Sequence, residues 1–447
     1  MARIYKEFFD INIAVPEEIE RFLACGEIIA FKLVFAVDKT NTAPAAARQA
    51  FEGKIYVSIQ DPSMEWWFNV PAYAAPHISE IKKIFFNQEF SLFPFAENAK
   101  VRDGKFSISY SITMKTPDGT LRELVRDAKF SGTKIADNII VACPDVIDFK
   151  FDKRYPDGLY KFSISAKDEI SGETSTGENH LQLTQWSAPL PFSGKKLVRD
   201  YVSAYSLQPS PETLYAIFFS DDFSLEQKGA PNSLNYLHLG FLKAAFAKNR
   251  FLIPEIRDDF KNLSPINRAK FIMLLALIDA EKMDESALSD AEKKYQTTIR
   301  KFKFPDPYAD WDAFLGGAQA DMLWGEFFAN GTYKPIRRII DILSLAKQAA
   351  FADSLAAEKA LPKNREDWDK YMLGKLYKAT LKTLALNAHR YPLVEQYCVW
   401  AIERGDVPKV SFEVLSPLIE HISEMKTPEG AAAASAPRVK MPNLEIQ

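Results

Sequence analysis

The period of the hydrophobic pattern changes near residue 200, and this change restricts the possible folds more than any other feature of the sequence. Between Phe106 and Met114, apolar and polar residues alternate one by one, so the apolar side chains share one face of a strand. Between Leu234 and Phe246, apolar residues recur every three or four positions, as on the buried side of a helix. The sequence therefore predicts a multidomain β + α protein in which a β-rich part precedes an all-α part.

Strict alternation continues through much of the first part of the chain, in the runs 29–37, 55–59, 147–151 and 160–166. Because polar residues occupy the second face of such runs, we expect antiparallel sheets in a β-sandwich of the immunoglobulin or fibronectin kind. The turn sequences Pro117-Asp118-Gly119 and Pro156-Asp157-Gly158 separate alternating runs, and the stretch 156–173 resembles the final hairpin of many bacterial immunoglobulin-like or fibronectin-like modules.

The second part of the chain contains repeated helix-start signals. Ser210, Ser264, Asp306 and Ser416 each precede a proline, and a capping side chain followed by proline suits the first turn of a helix. Short polar connections such as 330–332 and 405–408 favour antiparallel pairs of helices. We expect an array of helical hairpins that resembles tetratricopeptide-like and other α-solenoid arrays in texture, although no constant repeat period is present. The predicted helices are 211–220, 232–249, 254–262, 265–282, 286–301, 307–329, 335–350, 366–390, 392–404 and 411–424.

These patterns divide the chain into five predicted regions. The interval between the two parts is rich in Pro and Gly and breaks both periods, so it is interpreted as a linker. The predicted regions are a β-rich domain with a short N-terminal helix (1–97), a second immunoglobulin-like β-sandwich module (98–186), the linker (187–210), an all-α domain (211–426) and a disordered tail (427–447).

Composition excludes several classes of protein. The formal net charge is −3, which provides no general attraction to phosphate backbones or anionic membranes, so nucleic acid is not an expected partner. The longest uninterrupted apolar run, 271–278, is far shorter than the roughly 20 residues of a spanning helix. The N-terminal sequence lacks a signal peptide, so we expect a cytoplasmic protein, or a periplasmic or secreted one if the numbering starts at a mature N-terminus.

No motif for cofactor, phosphate or metal chemistry occurs in the sequence. The 3 cysteines and 5 histidines do not have ligand spacing, so no cofactor and no metal site are expected. The cysteines are interpreted as buried apolar residues, and His238 as a hydrogen-bonded core residue. The carboxylate clusters Asp221-Asp222 and Asp306, Asp310 and Asp312 are interpreted as caps at helix ends rather than as ligands.

Large aromatic residues provide the candidate interaction surface: Trp66, Trp67, Trp324, Phe327 and Phe328. Burial is the preferred interpretation of these residues taken one by one: a core or domain contact for Trp66 and Trp67, and close helix packing behind Gly316-Gly317 for the other three. The preferred functional hypothesis is a non-catalytic interaction or scaffold protein whose helical surface binds a protein or peptide. The alternative is a hydrolase or lyase with a site at the interface of the β and α parts, and a deep polar pocket with converging carboxylates and a histidine would favour it.

Overall fold

The chain forms two compact units in a computed structural model, which describes residues 50–60, 63–64, 78–133, 140–226, 234–405 and 407–425. One unit, here called the sheet unit, comprises residues 33–309 and 318–335. The other, here called the helical unit, comprises, among the described residues, 310–317, 336–405 and 407–425. Among the described residues, no helix is both long and apolar enough to cross a membrane.

All described strands belong to the sheet unit and form two sheets. In the first sheet β3 lies between β1 on one side and β6 and β7 on the other, and the second sheet has the order β2-β9-β8-β4-β5. All strand pairs are antiparallel except β2 with β9, which is parallel. The expectation of purely antiparallel sheets is therefore wrong for this pair. The strands are β1 (Glu52–Ser58), β2 (Lys83–Phe85), β3 (Glu89–Glu97), β4 (Lys105–Lys115), β5 (Leu121–Thr133), β6 (Val141–Ala142), β7 (Ile147–Lys150), β8 (Gly158–Asp168) and β9 (Thr174–Thr184).

The two sheets share one hydrophobic core. The alternation predicted for β4 is confirmed, because its residues are buried and partly exposed in turn and Phe106, Ile108 and Met114 lie in this core. β3 differs, since nearly all its residues are buried. Its second face carries Phe93 and Phe95, which form a separate small cluster on the outer side of the first sheet.

The core crosses the boundary predicted at residue 97. Ile84 in β2 and Leu183 in β9 are buried in the same core, and β2 pairs directly with β9. Described residues from both predicted β domains therefore share a sheet and a core. The first domain as a whole stays a prediction, because residues 1–49, including the predicted N-terminal helix, lie outside the described residues.

Helices occupy most of the chain after residue 194. They are α1 (Lys195–Ala204), α2 (Pro211–Phe218), α3 (Tyr236–Lys248), α4 (Leu252–Asp258), α5 (Pro265–Leu277), α6 (Asp290–Lys301), α7 (Gly316–Asn330), α8 (Tyr333–Asp341), α9 (Ala346–Ala357), α10 (Arg365–Arg390), α11 (Pro392–Arg404) and α12 (Lys409–Met425). The prediction of a multidomain β + α chain is confirmed at this level.

The predicted linker contains a helix. In α1, Val198, Tyr201 and Val202 are buried, and the ring of Tyr201 stacks on Phe192 with centroids 4.5 Å apart. Prolines on both sides limit the apolar pattern to little more than two turns, which is why the sequence did not indicate a helix here. The segment 187–210 is therefore a packed part of the sheet unit rather than a simple linker.

Of the four serine–proline and aspartate–proline signals, two mark the start of a helix and two do not. Ser210 and Ser264 cap α2 and α5, and each side-chain oxygen accepts a hydrogen bond from the backbone three residues on. Pro307 instead lies in a turn, and α7 begins only at Gly316. Pro417 lies inside α12. The buried stripe of α12 continues past the proline, and this packing outweighs the lost backbone hydrogen bond.

In the helical unit, the helices from α9 to α12 each contact the next one along the chain. α10 and α9 approach closely at Gly374, where a Cβ atom would overlap the carbonyl oxygen of Gln348. Gly405 ends α11 in the left-handed region, with φ 63°, as the predicted short connection requires. The predicted tail 427–447 lies outside the described residues.

Two glycines bring α3 and α7 together in the sheet unit. A Cβ atom on Gly240 of α3 would overlap the carbonyl oxygen of Met322, and one on Gly325 of α7 would overlap that of Leu237. Both obstacles are backbone atoms, which cannot move aside as a side chain could. The crossing of these two helices therefore requires glycine at both positions.

Substituting Gly325→Val should force α3 and α7 apart and lower the free energy of unfolding by about 2 kcal/mol or more, because overpacking commonly costs roughly 1–3 kcal/mol. Chemical denaturation followed by circular dichroism measures this change. Ala291→Val, at an exposed position of α6, is the control and should change the stability by less than about 0.5 kcal/mol. Equal stability of the two variants would contradict the proposed close contact.

Candidate functional site

An aromatic cluster joins the β-sheets to the helices within the sheet unit. Phe85 at the end of β2 contacts Trp186 edge-on, with centroids 5.0 Å apart, and stacks on Phe251 at 5.8 Å. Trp186 also contacts Tyr215 of α2 at 5.6 Å. Beside the cluster, Lys83 Nζ lies 2.7 Å from Glu212 Oε1. Phe85 of the second sheet therefore packs against the residue that precedes α4 and, through Trp186, against α2.

Buried amides extend this junction. Gln88 Nε2 donates a hydrogen bond to Asn249 Oδ1 at 3.3 Å, and Asn249 Nδ2 donates to the carbonyl oxygen of Ala245 at 2.8 Å and to the hydroxyl of Tyr205 at 3.4 Å. Both amide side chains are almost fully buried. An unsatisfied buried polar group costs about 1–3 kcal/mol, so these bonds fix the position of the residues before α4 against the turn between β2 and β3.

Next to this junction, the sheet unit contains a cleft of about 1110 Å³. β3 and β7 form one side, α3 and the turn that follows it form another, and α7 and the loop at Asp306 complete it. Its lining residues are Ile59, Gln60, Asn87, Glu89, Phe90, Ser91, Asp148, Phe149, Lys150, Gly240, Lys243, Ala244, Ala247, Lys248, Arg250, Phe251, Pro254, Asp306, Pro307, Tyr308, Met322, Glu326 and Asn330.

The sheet side of the cleft is polar. Glu89 pairs with Lys150 across β3 and β7, with Nζ and Oε1 3.2 Å apart, and Ser91 Oγ donates to Asp148 Oδ1 at 2.6 Å. Side chains alternate along a strand, so these four groups share one face, while their neighbours Phe90 and Phe149 occupy the other. This side of the cleft therefore carries two carboxylates and one ammonium group.

The helical side of the cleft is basic. α3 lines it with residues at positions 240, 243, 244, 247 and 248, which is a single helical stripe of small and basic residues. The exposed Lys243 and Arg250 make no hydrogen bond and no ion pair with any described residue through their side chains. Sequence reasoning noticed only the opposite, apolar stripe of this helix. The small and basic stripe was the missed signal.

Glu326 of α7 lies in the cleft and accepts a hydrogen bond from the Tyr308 hydroxyl at 2.8 Å. Burial raises the pKa of this carboxyl group above its ordinary range. The Tyr308 hydrogen bond and the charges of Lys334, Lys243 and Lys248 oppose that rise in pKa. A carboxylate with such a pKa, in a large cleft, is the kind of group that takes part in binding or proton transfer.

Two other ionisable residues with shifted pKa values, the partly buried His238 and the buried Lys270, lie away from the cleft. His238 Nδ1 donates to the Ser224 carbonyl oxygen at 2.6 Å and its ring stacks on Phe223, while burial lowers its pKa to about 4. This confirms the expected hydrogen-bonded core histidine. Lys270 Nζ donates to the carbonyl oxygens of Phe218 and Ser220 at the end of α2, and burial lowers the pKa of its ammonium group to about 8.

The three α7 members of the candidate interaction surface are buried. Trp324, Phe327 and Phe328 are each less than a tenth exposed, and their rings contact one another with centroids 5.6–6.3 Å apart. Burial of large apolar rings is favourable because it removes apolar area from water. Trp66 and Trp67 lie outside the described residues.

In both carboxylate clusters considered above, carboxylate oxygens accept hydrogen bonds from backbone amides. Asp222 Oδ2 accepts from the Gly194 amide at 2.7 Å, and Asp306 Oδ1 from the Tyr308 amide at 2.9 Å. Asp312 Oδ1 accepts from two amides just before α7. In the described part of the chain, no group of three or more His, Cys, Asp or Glu residues is placed to hold a metal ion.

The described cysteines, Cys143 and Cys398, are buried free thiols. Burial raises the pKa of both. They therefore match the predicted role as small core residues, and Cys25 lies outside the described residues.

Comparison with known proteins identifies no family. No family model matches the chain, and no curated protein matches it significantly. A family 123 glycoside hydrolase from Clostridium perfringens is similar over 34% of this chain and 32% of its own, with 10% identity and a TM-score of 0.20. The chain thus spans about a third of that enzyme.

Two further solved structures show similarly weak likeness. For the CARDB domain of a Pyrococcus furiosus protein, the match covers 31% of this chain and 93% of that domain, with 10% identity and a TM-score of 0.18. For Salmonella alpha-2-macroglobulin, it covers 84% of this chain and 26% of that one, with 9% identity and a TM-score of 0.19. These values do not establish a common fold.

Asp321 lies one turn and a half before Glu326 on α7. Its raised pKa predicts how the free energy of unfolding changes with pH. Burial raises its pKa from 3.8 to about 7, so the folded protein keeps a proton that the unfolded chain loses. This carboxyl group therefore makes the protein less stable as the pH rises from 3.8 to about 7. Asp321→Asn should remove this dependence, so the variant should gain stability relative to the parent across that interval and keep the gain at higher pH.

The measurement is the free energy of unfolding of parent and variant at several pH values from about 4 to about 8. Asp290→Asn, at a fully exposed carboxylate of α6, is the control and should show no such rise. A difference between Asp321→Asn and parent that stays constant with pH would contradict the assignment.

Proposed function

We propose that the protein is a non-catalytic interaction module, and that the cleft of the sheet unit receives a segment of a partner polypeptide. The cleft carries this proposal. Its volume of about 1110 Å³ lies close to the upper end of the range of roughly 300–1,000 Å³ typical of ligand pockets, which leaves room for several side chains of a peptide. Charged groups on both sides, with Lys243 and Arg250 free of ion pairs to described residues, leave polar contacts for a partner to complete.

The location of the proposed binding site differs from the one that the sequence favours. We had expected the exposed helical surface to bind the partner, but the aromatic residues chosen there are buried. The junction of sheets and helices is the better candidate. We further propose that the sheets follow the immunoglobulin-like plan and that the helices form a solenoid-like array, as the sequence pattern indicates.

A hydrolase or lyase is the second candidate, and one observation favours it. Glu326 combines a raised pKa with a hydrogen bond from Tyr308 inside a cleft that also contains Asp148 and Asp306. A carboxyl group with a raised pKa beside a phenol can take part in proton transfer. Among the described residues, no histidine lines the cleft, so a proton-transfer role rests on the carboxylates and the phenol.

A random peptide library displayed on phage should yield peptides that bind the full chain and not the variant Ala247→Trp. Ala247 is an exposed cleft residue of α3, so an indole at this position would fill the cleft without disturbing the core. Ala291→Trp, exposed on α6 outside the cleft, is the matched control and should retain binding. Failure to select any peptide, or equal binding by both variants, would overturn the proposal.

The two candidate functions differ in their response to Glu326→Gln. For an interaction module, selected peptides should stay intact in the presence of the wild-type chain, as mass spectrometry would show, and the variant should change their affinity only slightly. Turnover of a selected peptide by the wild-type chain that is lost in Glu326→Gln while binding persists would establish the enzyme instead.

A further inference from the structure

Charge is segregated between the two sides of the cleft. The α3 side presents Lys243, Lys248 and Arg250, and the sheet side presents Glu89 and Asp148 together with Lys150, while Asp306 and Glu326 lie on the third side. The Lys150 ammonium group is already paired with Glu89, so the sheet side has a net negative charge. A ligand that lies between the two sides therefore meets opposite charges.

An extended polypeptide segment matches the opposite charges on the two sides of the cleft. In an extended segment, successive side chains point in opposite directions with a period of two. A segment lying along the cleft can direct every second side chain towards α3 and the others towards β3 and β7. Its charge pattern then decides which segments bind.

We propose that the cleft binds an extended segment in which acidic side chains alternate with basic ones, the acidic ones facing Lys243 and Arg250 and the basic ones facing Asp148. This inference rests on the proposed function of the cleft and adds the chemistry of the partner. Both cations lack an ion pair with described residues, so binding gains carboxylate contacts without breaking existing ones.

A continuous polyanion fits less well. Nucleic acid presents negative charge on every side, so one side of it would face Glu89 and Asp148 and repel them. Desolvation of those carboxylates beside phosphate groups would oppose binding. An all-acidic peptide meets the same obstacle, and this separates the proposal from a general anion site.

The test compares the binding of four fluorescent probes to the full chain by anisotropy. Two are ten-residue peptides of identical composition, one with Glu and Lys alternating and one with five Glu followed by five Lys. The others are an all-Glu peptide and a single-stranded oligonucleotide. The alternating peptide should bind about tenfold more tightly than the block peptide and the polyanions, with an affinity that falls as salt increases.

Charge reversal identifies the site. Lys243→Glu combined with Arg250→Glu should weaken the alternating peptide about tenfold, while Lys294→Glu, at an exposed position of α6 outside the cleft, should leave it unchanged. Equal binding of the alternating and block peptides, tighter binding of either polyanion, or no effect of the double variant would overturn the inference.

The result also separates this inference from the proposed function. If library-selected peptides bind in a manner blocked by Ala247→Trp but the alternating peptide does not bind, the charge pattern is wrong and the cleft remains the binding site. If neither kind of peptide binds, both proposals fail.

Discussion

The buried hydrogen bond between Gln88 and Asn249 is the interaction on which the geometry of the cleft depends. It joins the turn between β2 and β3 to the end of α3, and the same amides bond to the Phe85 backbone and to Tyr205. Directional bonds between buried amides tolerate little displacement, because a lost partner leaves a desolvated group unsatisfied. Phe85, packed on Trp186 and Phe251, adds apolar burial at the same place.

The helix α3 contributes both to the core of the sheet unit and to the cleft. Its apolar side, including Phe241 and Phe246, is buried, while Lys243 and Ala247 face the cleft. Gly240 allows the α7 backbone to approach, and this approach brings Glu326 into the same cleft as the lysines of α3. The raised pKa of Glu326 follows from that burial, which the nearby cations offset only in part. Packing of two helices therefore determines the electrostatics of the candidate site.

Local patterns predicted the elements well where one physical effect dominated. Alternation in β4 and the caps at Ser210 and Ser264 depend on neighbouring residues alone, and the structure has them as expected. The same cap signal at Pro417 was misleading, because the buried side of α12 continues past it. The aromatic residues of α7 were assigned to the surface for a related reason: an apolar stripe looks the same whether a neighbouring helix or a partner covers it.

By itself, the sequence determined the succession of sheets and helices, the absence of recognisable cofactor and metal motifs, and the core roles of His238 and Cys143. These follow from side-chain chemistry and from the period of the chain. Only the tertiary structure decided that Phe85 meets Trp186, that Glu326 meets Tyr308, and that basic and acidic residues line one cleft. Such contacts join residues up to hundreds of positions apart, and no local pattern records which distant segments will pack together.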